Sequence, residues 1–175
     1  MRSPNEEAEL CFMPMQLADL EAVLAIESES HIHPWTRGNF SDSLAAAHWA
    51  YCIRPSLDQG KETPGTFLDS HALWAYCILY PAVDELHLLN ITVASKLRKL
   101  GLGARIMEAI EGVAAQQKMP RIILEVRATN EPAYALYKKL GYEQIGTRKG
   151  YYPANPETGF REDAIVMSKS IKLES

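Results

Sequence analysis

The sequence predicts an α/β fold in which a single domain is built on a mixed central sheet flanked by helices. The chain has 175 residues, of which 47% are hydrophobic, and this is enough to bury one sizeable core. A strand–helix–strand pattern spans residues 85–126, and two further strand patterns close the chain. The first pattern predicts parallel strands and the second an antiparallel pair, so the sheet is expected to be mixed. We interpret residues 1–175 as one domain.

Two helices are predicted near the N-terminus. Residues 16–29 carry apolar side chains near helical spacing, and Asp19 and Glu21 lie in the early turns, where acidic groups are favourable. A second, short helix is expected from Arg37 to Ala46, with Pro34 as a boundary and Thr36 as a cap.

Two strands are predicted next, in "HWAYCIR" and "ALWAYCILY", because aromatic and β-branched residues dominate both. The segment between them is rich in Pro, Gly, Asp and Ser, and it is long for a hairpin connection. We therefore predict a mobile insertion over residues 54–70.

The C-terminal half is predicted in more detail. "ELHLLNITV" and "RIILEV" are typical of strands, and the helix between them has one apolar stripe. In "NEPAYALYKKLGY", Asn130 is expected as N-cap, with Pro132 in the first turn and Gly141 just beyond the end. "EQIGTRKGYY" and "EDAIVMSKSI" are expected to pair in antiparallel orientation.

Composition argues against several classes of function. A net charge of −4 disfavours broad binding to nucleic acid or an anionic membrane. The N-terminal residues lack the basic and apolar pattern of a secretory signal, and the longest apolar run is too short to span a bilayer, so we expect a soluble cytoplasmic protein. The three cysteines form no CxxC pair and are interpreted as apolar filler. His31 and His33 lack a third ligand at a suggestive spacing, so no metal site is predicted.

The segment "RKLGLG", residues 98–103, lies where a predicted strand gives way to a helix. Two glycines allow successive N–H groups to face one point, and a helix N-terminus of this kind binds anions, phosphate above all. The segment lacks the third glycine of the dinucleotide fingerprint and the GK[ST] of the P-loop, so NAD and ATP are disfavoured. Taken alone, it is also compatible with a tight turn bearing solvated basic side chains.

The loop resembles the R/Q-x-x-G-x-G/A motif of the GCN5-related N-acetyltransferases. "LLNITV", "LEVRATNEPAYALYKKLGY" and "RKGYYPANPETGFREDAIVM" are similar to the bacterial members that acetylate the N-terminal alanine of a small-subunit ribosomal protein. The similarity is dense over residues 85–171, whereas residues 1–80 match loosely. The resemblance implies an acetyltransferase fold, acetyl-coenzyme A as co-substrate, a protein N-terminus as acceptor, and direct transfer in a ternary complex.

The resemblance also implies roles for individual residues. Glu125 would be the general base and Tyr137 the acid that protonates the departing thiolate, while Tyr151 and Tyr152 would hold the peptide backbone. The residues implied in cofactor binding are Ile91, Thr92, Val93, Arg98, Lys99, Leu100, Gly101, Leu102, Gly103, Ala104 and Asn130.

The residues alone leave alternatives open. Glu125 follows apolar residues, which would raise a carboxylate pKa towards neutrality, but it is also compatible with an ion pair to Arg127. Tyr137 lies on an apolar stripe and is compatible with a core tyrosine, and the Tyr151–Tyr152 pair with a covered sheet edge. Lysine side chains or a small amine are alternative acceptors, and a non-catalytic acyl-coenzyme A binding module is an alternative to an enzyme.

Overall fold

A computed structural model describes residues 9–56 and 72–173 of the chain. Its helices are α1 (Leu20–Ser30), α2 (Arg37–Ala45), α3 (Leu102–Gln116) and α4 (Glu131–Lys139), with 3₁₀ turns at Leu17–Asp19 and Ser95–Leu97. Its strands are β1 (Leu10–Pro14), β2 (Trp49–Pro55), β3 (Ala75–Pro81), β4 (Leu86–Val93), β5 (Arg121–Arg127), β6 (Glu143–Tyr152) and β7 (Glu162–Ser170). Among the described residues, no helix has both the length and the apolar character needed to cross a membrane.

The seven strands form one mixed sheet in the order β1-β2-β3-β4-β5-β7-β6. β4 and β5 pair in parallel, with Leu86 opposite Ile122 and Leu88 opposite Leu124. β5 with β7 and β6 with β7 pair in antiparallel orientation. The prediction of a mixed sheet is therefore confirmed, since the connection through α3 makes its strands parallel and the C-terminal hairpin makes its strands antiparallel.

Backbone contacts divide the chain into two compact units, and the division falls within β3 and β4. The first unit contains the described residues up to Ile78 together with Asn90–Leu102. Its core is an apolar cluster in which the α1 residues Leu20 and Val23 and the α2 residue Phe40 are fully buried. Trp35, which is partly buried, packs against this cluster with its ring centre 5.3 Å from that of Phe40.

The second unit contains Leu79–Leu89 and the chain from Gly103 onward. α3 buries Ile106, Met107, Ile110 and Ala114 of the predicted apolar stripe, and its fifth member, Val113, is half-buried. In β5, burial alternates, so that Ile122, Leu124 and Val126 are buried while their neighbours are more accessible. This alternation places Glu125 on the more accessible face of its strand.

The predicted element boundaries need small corrections. The first helix begins as a 3₁₀ turn at Leu17, and the α-helix proper runs from Leu20 to Ser30. The second helix has its predicted cap at Thr36 but ends at Ala45. The predicted insertion 54–70 starts too early, because Arg54 and Pro55 extend β2 opposite Cys11 and Leu10. Residues 57–70 of that insertion lie outside the described residues, and the interpretation as one domain stays a prediction.

Candidate active site

The glycine-containing segment forms a turn between β4 and α3. The chain leaves β4 at Val93, makes a 3₁₀ turn at Ser95–Leu97 and enters α3 at Leu102. Lys99 and Gly101 both have positive φ, at +64° and +76°. Few non-glycine residues adopt such a conformation, and those that do are concentrated at functional sites.

The backbone of this turn has unused hydrogen-bond donors. In the described part of the chain, the N–H groups of residues 99–104 donate to no backbone carbonyl. A Cβ atom added at Gly101 would meet nothing within 4 Å, so a ligand can approach the main chain there. These amides and the start of α3 fit the diphosphate of a coenzyme A, because such a group needs several N–H donors aimed at one anion.

Gly103 has a different structural role. A Cβ atom at this position would lie 3.2 Å from Cδ2 of Leu136 in α4, which is tighter than an ordinary contact. The missing side chain therefore allows α3 and α4 to approach each other closely. Because Leu136 can shift, alanine is a tolerable substitution, in keeping with the G/A of the motif.

The Arg98 side chain makes two hydrogen bonds within the first unit. Its Nε donates to the carbonyl oxygen of Val93 at 3.1 Å, and its Nη2 donates to Oγ of Ser30 at 2.5 Å. These two bonds join the turn to the end of β4 and to the last residue of α1. Arg98 therefore shapes the turn as well as adding positive charge near it.

Ile91, Thr92 and Val93 form the end of β4, beyond the part that pairs with β5. Thr92 is buried, and its Oγ1 lies 3.0 Å from the hydroxyl of Tyr76 and 2.8 Å from Nε2 of His31. The Thr92 side chain therefore makes its polar contacts within the protein.

The sequence reasoning missed a buried polar network centred on Glu27. This residue is only 1% exposed, and its carboxylate accepts hydrogen bonds from the backbone N–H of Trp35 at 2.7 Å and from the Tyr76 hydroxyl. His31 Nε2 lies 3.3 Å from the same carboxylate, and the Tyr76 hydroxyl lies 3.0 Å from Oγ1 of Thr92. A signal was present in the sequence, since Glu27 follows Leu20 and Val23 at helical spacing and so falls on the buried face.

Glu125 lies on β5 with a cationic partner from β6. Arg148 Nε is 3.0 Å from Oε1 of Glu125, whose side chain is 26% exposed. The alternative pairing with Arg127 is wrong, because Arg127 binds Glu162 at 3.1 Å instead. The idea that Glu125 has only apolar neighbours is also wrong, because strand alternation turns it away from the buried face of β5.

Glu162 binds Thr129 as well as Arg127. The backbone N–H and the hydroxyl of Thr129 donate to its Oε1 at 2.8 and 2.6 Å. Partial burial acts to raise the pKa of Glu162, but the bonds from Thr129 and the charge of Arg127 outweigh it, so the pKa is lowered. Glu162 is therefore an ionised structural partner at neutral pH.

Tyr137 lies on α4 and is 6% exposed, with its ring 5.8 Å from that of Tyr142. Burial, followed by the neighbouring Tyr152, raises the pKa of Tyr137 above its usual value, so its hydroxyl keeps its proton at neutral pH. In the described part of the chain this hydroxyl donates to no protein acceptor. The Tyr137 oxygen is not among the fully buried polar atoms of the described residues that lack a partner, so it is accessible to an atom of a bound ligand.

Asn130 is the N-cap of α4, as predicted. Its Oδ1 accepts from the backbone N–H of Ala133 at 3.3 Å. The cap uses the carbonyl end of the side chain, which leaves the amide NH₂ for another acceptor. Gly141 lies just beyond the end of the helix, as predicted, at a φ of +88°, and Lys138 and Lys139 lie in the last turn.

Tyr151 and Tyr152 close β6, an edge strand of the sheet, where the register with β7 shifts. The shift is held by two bonds at Gly150, whose N–H donates to Asp163 Oδ1 at 2.7 Å and whose carbonyl accepts from Arg161 Nε at 2.6 Å. Such irregularities re-aim side chains. The two tyrosine rings meet edge to face at 5.2 Å.

The tyrosine pair adjoins Glu125 within the second unit. Burial and then the Glu125 carboxylate raise the pKa of Tyr151. Burial and then the charge of Glu125 raise the pKa of Tyr152 to about 12, against the lowering effect of Arg127. The structure thus brings the predicted base and the predicted peptide-binding residues together.

Comparison with known proteins agrees with this geometry. The acetyltransferase (GNAT) family matches residues 20–142. The chain is 30% identical over 159 residues to the [ribosomal protein bS18]-alanine N-acetyltransferase of Escherichia coli K12, covering 91% of this chain and 96% of the relative. The Salmonella typhimurium enzyme of the same name is 29% identical over 160 residues, with 91% and 96% covered.

A solved structure gives the same result for the fold. The crystal structure of the ribosomal-protein-S18-alanine N-acetyltransferase from Escherichia coli superposes with a TM-score of 0.77 and 28% identity, covering 95% of this chain and 97% of that one. The predicted fold class and the prediction of an enzyme are confirmed. The chain belongs to the acetyltransferase (GNAT) family and is an N-acetyltransferase that uses acetyl-coenzyme A as its acetyl donor.

Proposed function

We propose that the acceptor is the N-terminal amine of a protein, and specifically the N-terminal alanine of a small-subunit ribosomal protein. The observation that carries the proposal is the position of the Glu125 carboxylate near the Tyr151–Tyr152 pair. Arg148 Nε lies 3.0 Å from Oε1 of Glu125, and the guanidinium of the same arginine lies 5.3 Å from the centre of the exposed Tyr151 ring. The names of the bacterial relatives, which act on ribosomal protein bS18, support the same acceptor. A ribosomal substrate would place the enzyme in the cytoplasm.

Acetyl-coenzyme A would be held mainly by backbone groups. The N–H groups of residues 99–104 would bind its diphosphate, and the main chain of Ile91, Thr92 and Val93 would bind its pantetheine arm. The amide NH₂ of Asn130 would add one donor. Acetyl-coenzyme A supplies the activated acetyl thioester.

Glu125 would act as general base for the acceptor amine, directly or through one water. An α-amino group has a pKa of about 7.7–8.0, whereas a lysine side chain is near 10.4. Removing a proton from an N-terminus at neutral pH is therefore easy, and a modest base is sufficient. A carboxylate at the accessible face of β5 meets that need.

Tyr137 would protonate the leaving thiolate. In water this transfer is uphill, because a thiolate whose conjugate acid has a pKa of about 8.5 is a weaker base than a tyrosinate, and the raised pKa of Tyr137 widens the gap. The hydroxyl must therefore lie within hydrogen-bond reach of the sulfur. The hydroxyl has no acceptor in the described part of the chain, which supports a role towards a bound ligand. Direct transfer from donor to amine would then need no acyl-enzyme.

The proposal is tested by initial-rate acetyl transfer to two peptides. One peptide begins with free Ala-Arg, and the other has the same sequence with a blocked N-terminus and added lysines. We expect turnover of the free peptide alone, and a loss of about 10²–10⁴-fold in kcat for Glu125→Gln and for Tyr137→Phe. Turnover of the blocked peptide would assign a lysine acceptor, and turnover of neither would contradict the proposed acceptor and favour a small amine.

A further inference from the structure

Arg148 makes two contacts that the proposed mechanism does not yet use. From β6, its Nε reaches Oε1 of Glu125 at 3.0 Å. Its guanidinium carbon also lies 5.3 Å from the centre of the Tyr151 ring. One side chain therefore touches both the proposed base and the first tyrosine of the proposed peptide-binding pair.

Stability alone does not account for this arrangement. The Arg148 side chain is 58% exposed, and exposed ion pairs of this kind contribute little to folding. The neighbouring cation Arg127 is placed differently, since it binds Glu162 and lies 4.0 Å from the centre of the Tyr152 ring. Each tyrosine thus has an arginine near its face, and Arg148 is the arginine that also binds Glu125.

The chemistry of the guanidinium suits this double contact. Its planar, delocalised charge can donate a hydrogen bond from its edge to a carboxylate while its face lies against an aromatic ring. The contact with Glu125 restricts the rotation of that side chain, and the contact with the Tyr151 ring restricts the arginine that makes it. A general base is effective only when it is held in a narrow range of positions relative to the proton it removes.

We propose that Arg148 is a positioning residue for acetyl transfer, which fixes the Glu125 carboxylate relative to the Tyr151 ring. This inference rests on the proposed function, in which Glu125 is the base and Tyr151 binds the peptide. Arg148 acts through these two residues and does not itself contact the acetyl donor. Its loss therefore affects the use of peptide and leaves the binding of acetyl-coenzyme A unchanged.

The test compares Arg148→Ala and Arg148→Lys with the wild-type enzyme, with Lys149→Ala as the matched control. Lys149 has the same charge at the next position of β6 and forms no ion pair in the described part of the chain. We measure kcat, the KM for the Ala-Arg peptide, the KM for acetyl-coenzyme A, and Tm. Arg148→Ala is expected to lower kcat/KM for peptide by about tenfold or more. Its KM for acetyl-coenzyme A and its Tm stay at the wild-type values.

Arg148→Lys separates positioning from simple charge. Lysine can pair with Glu125 but lacks the planar group that lies against Tyr151, so we expect an intermediate rate. Lys149→Ala is expected to match the wild type. Together these results would support the inference.

Three results would overturn it. If Arg148→Ala and Lys149→Ala have equal kcat/KM for peptide while Glu125→Gln is inactive, the proposed function stands and Arg148 has no positioning role. If Arg148→Ala loses Tm and raises both KM values together, its role is structural. Absence of wild-type turnover with the free peptide would overturn the proposed function and, with it, the inference.

Discussion

Asn130 shows how one side chain can serve both the fold and the site. Its Oδ1 caps α4 through the N–H of Ala133, and its NH₂ group is directed to no capping contact. Capping requires an acceptor, whereas binding a phosphorylated cofactor requires a donor. The two roles can therefore be separated by substitution.

We predict that Asn130→Ala lowers the free energy of unfolding by about 1 kcal/mol, because the cap is lost. Asn130→Asp keeps an acceptor at the same place and should retain that stability. Both variants are expected to raise the KM for acetyl-coenzyme A, since both lack the donor. Urea denaturation and initial rates measure the two effects, and an unchanged KM in Asn130→Asp would limit Asn130 to capping.

Glu27 shows the opposite case, a residue whose importance comes from its surroundings. In the sequence it is one of two acids in "IESES", whereas in the fold it binds Trp35 and Tyr76 from a fully buried position. A buried carboxylate is tolerated only when it has partners. Those partners come from a following loop and a distant strand, so they cannot be read from local spacing.

At the scale of elements, the turn from Val93 to Leu102 depends on backbone conformation more than on side chains. Gly101 has a φ of +76° with open space around it, whereas Gly103 lies close to Leu136. The two glycines are therefore needed for different physical reasons, one conformational and one steric.

We predict that Gly101→Ala costs about 1–2 kcal/mol of strain in the turn, because the left-handed region is unfavourable for an L-residue. The strained turn should also bind acetyl-coenzyme A more weakly. Gly103→Ala is the matched comparison, since its new Cβ meets only the flexible end of Leu136 and a small shift relieves the contact. KM for acetyl-coenzyme A and Tm report on both variants, and equal behaviour of the two would contradict the distinction.

Elements with local signals were predicted well from the sequence. Helix α4 begins and ends at the predicted cap and glycine, because Asn130 and Gly141 act on neighbouring backbone groups. The partner of Glu125 was not predicted. Arg148 lies on β6, which is separated from β5 by β7. The position of a β6 residue relative to a β5 residue therefore depends on the registers of both strands with β7.

At the scale of the whole molecule, the burial of cysteine and tyrosine side chains affects how the free energy of unfolding depends on pH. Burial raises the pKa of the Cys52 and Cys77 thiols from 9.0 to about 12. Burial also raises the pKa values of the buried residues Tyr76, Tyr137 and Tyr142. In each case the thiol or hydroxyl group holds its proton more tightly in the folded protein than in the unfolded chain.

We predict that the free energy of unfolding is unaffected by these thiols below about pH 9 and falls as the pH rises from there to about 12. The sign follows because the unfolded chain releases the protons first and is stabilised by doing so. Urea denaturation at a series of pH values measures the fall. Cys77→Ala should reduce its slope, and an unchanged slope would show that burial of this thiol has no part in it.

The sequence by itself determined the order and type of the elements from the first helix onward, the caps of α2 and α4, the glycine turn and the family resemblance, whereas strand β1 (Leu10–Pro14) was not predicted. All of these depend on residues close together in the chain or on motifs that span it. The tertiary structure alone decided the partners of the charged side chains, namely Glu27 with Tyr76, Glu125 with Arg148 and Arg127 with Glu162. An ion pair or a buried hydrogen bond depends on distances between strands and helices far apart in sequence, and only the packed fold sets those distances.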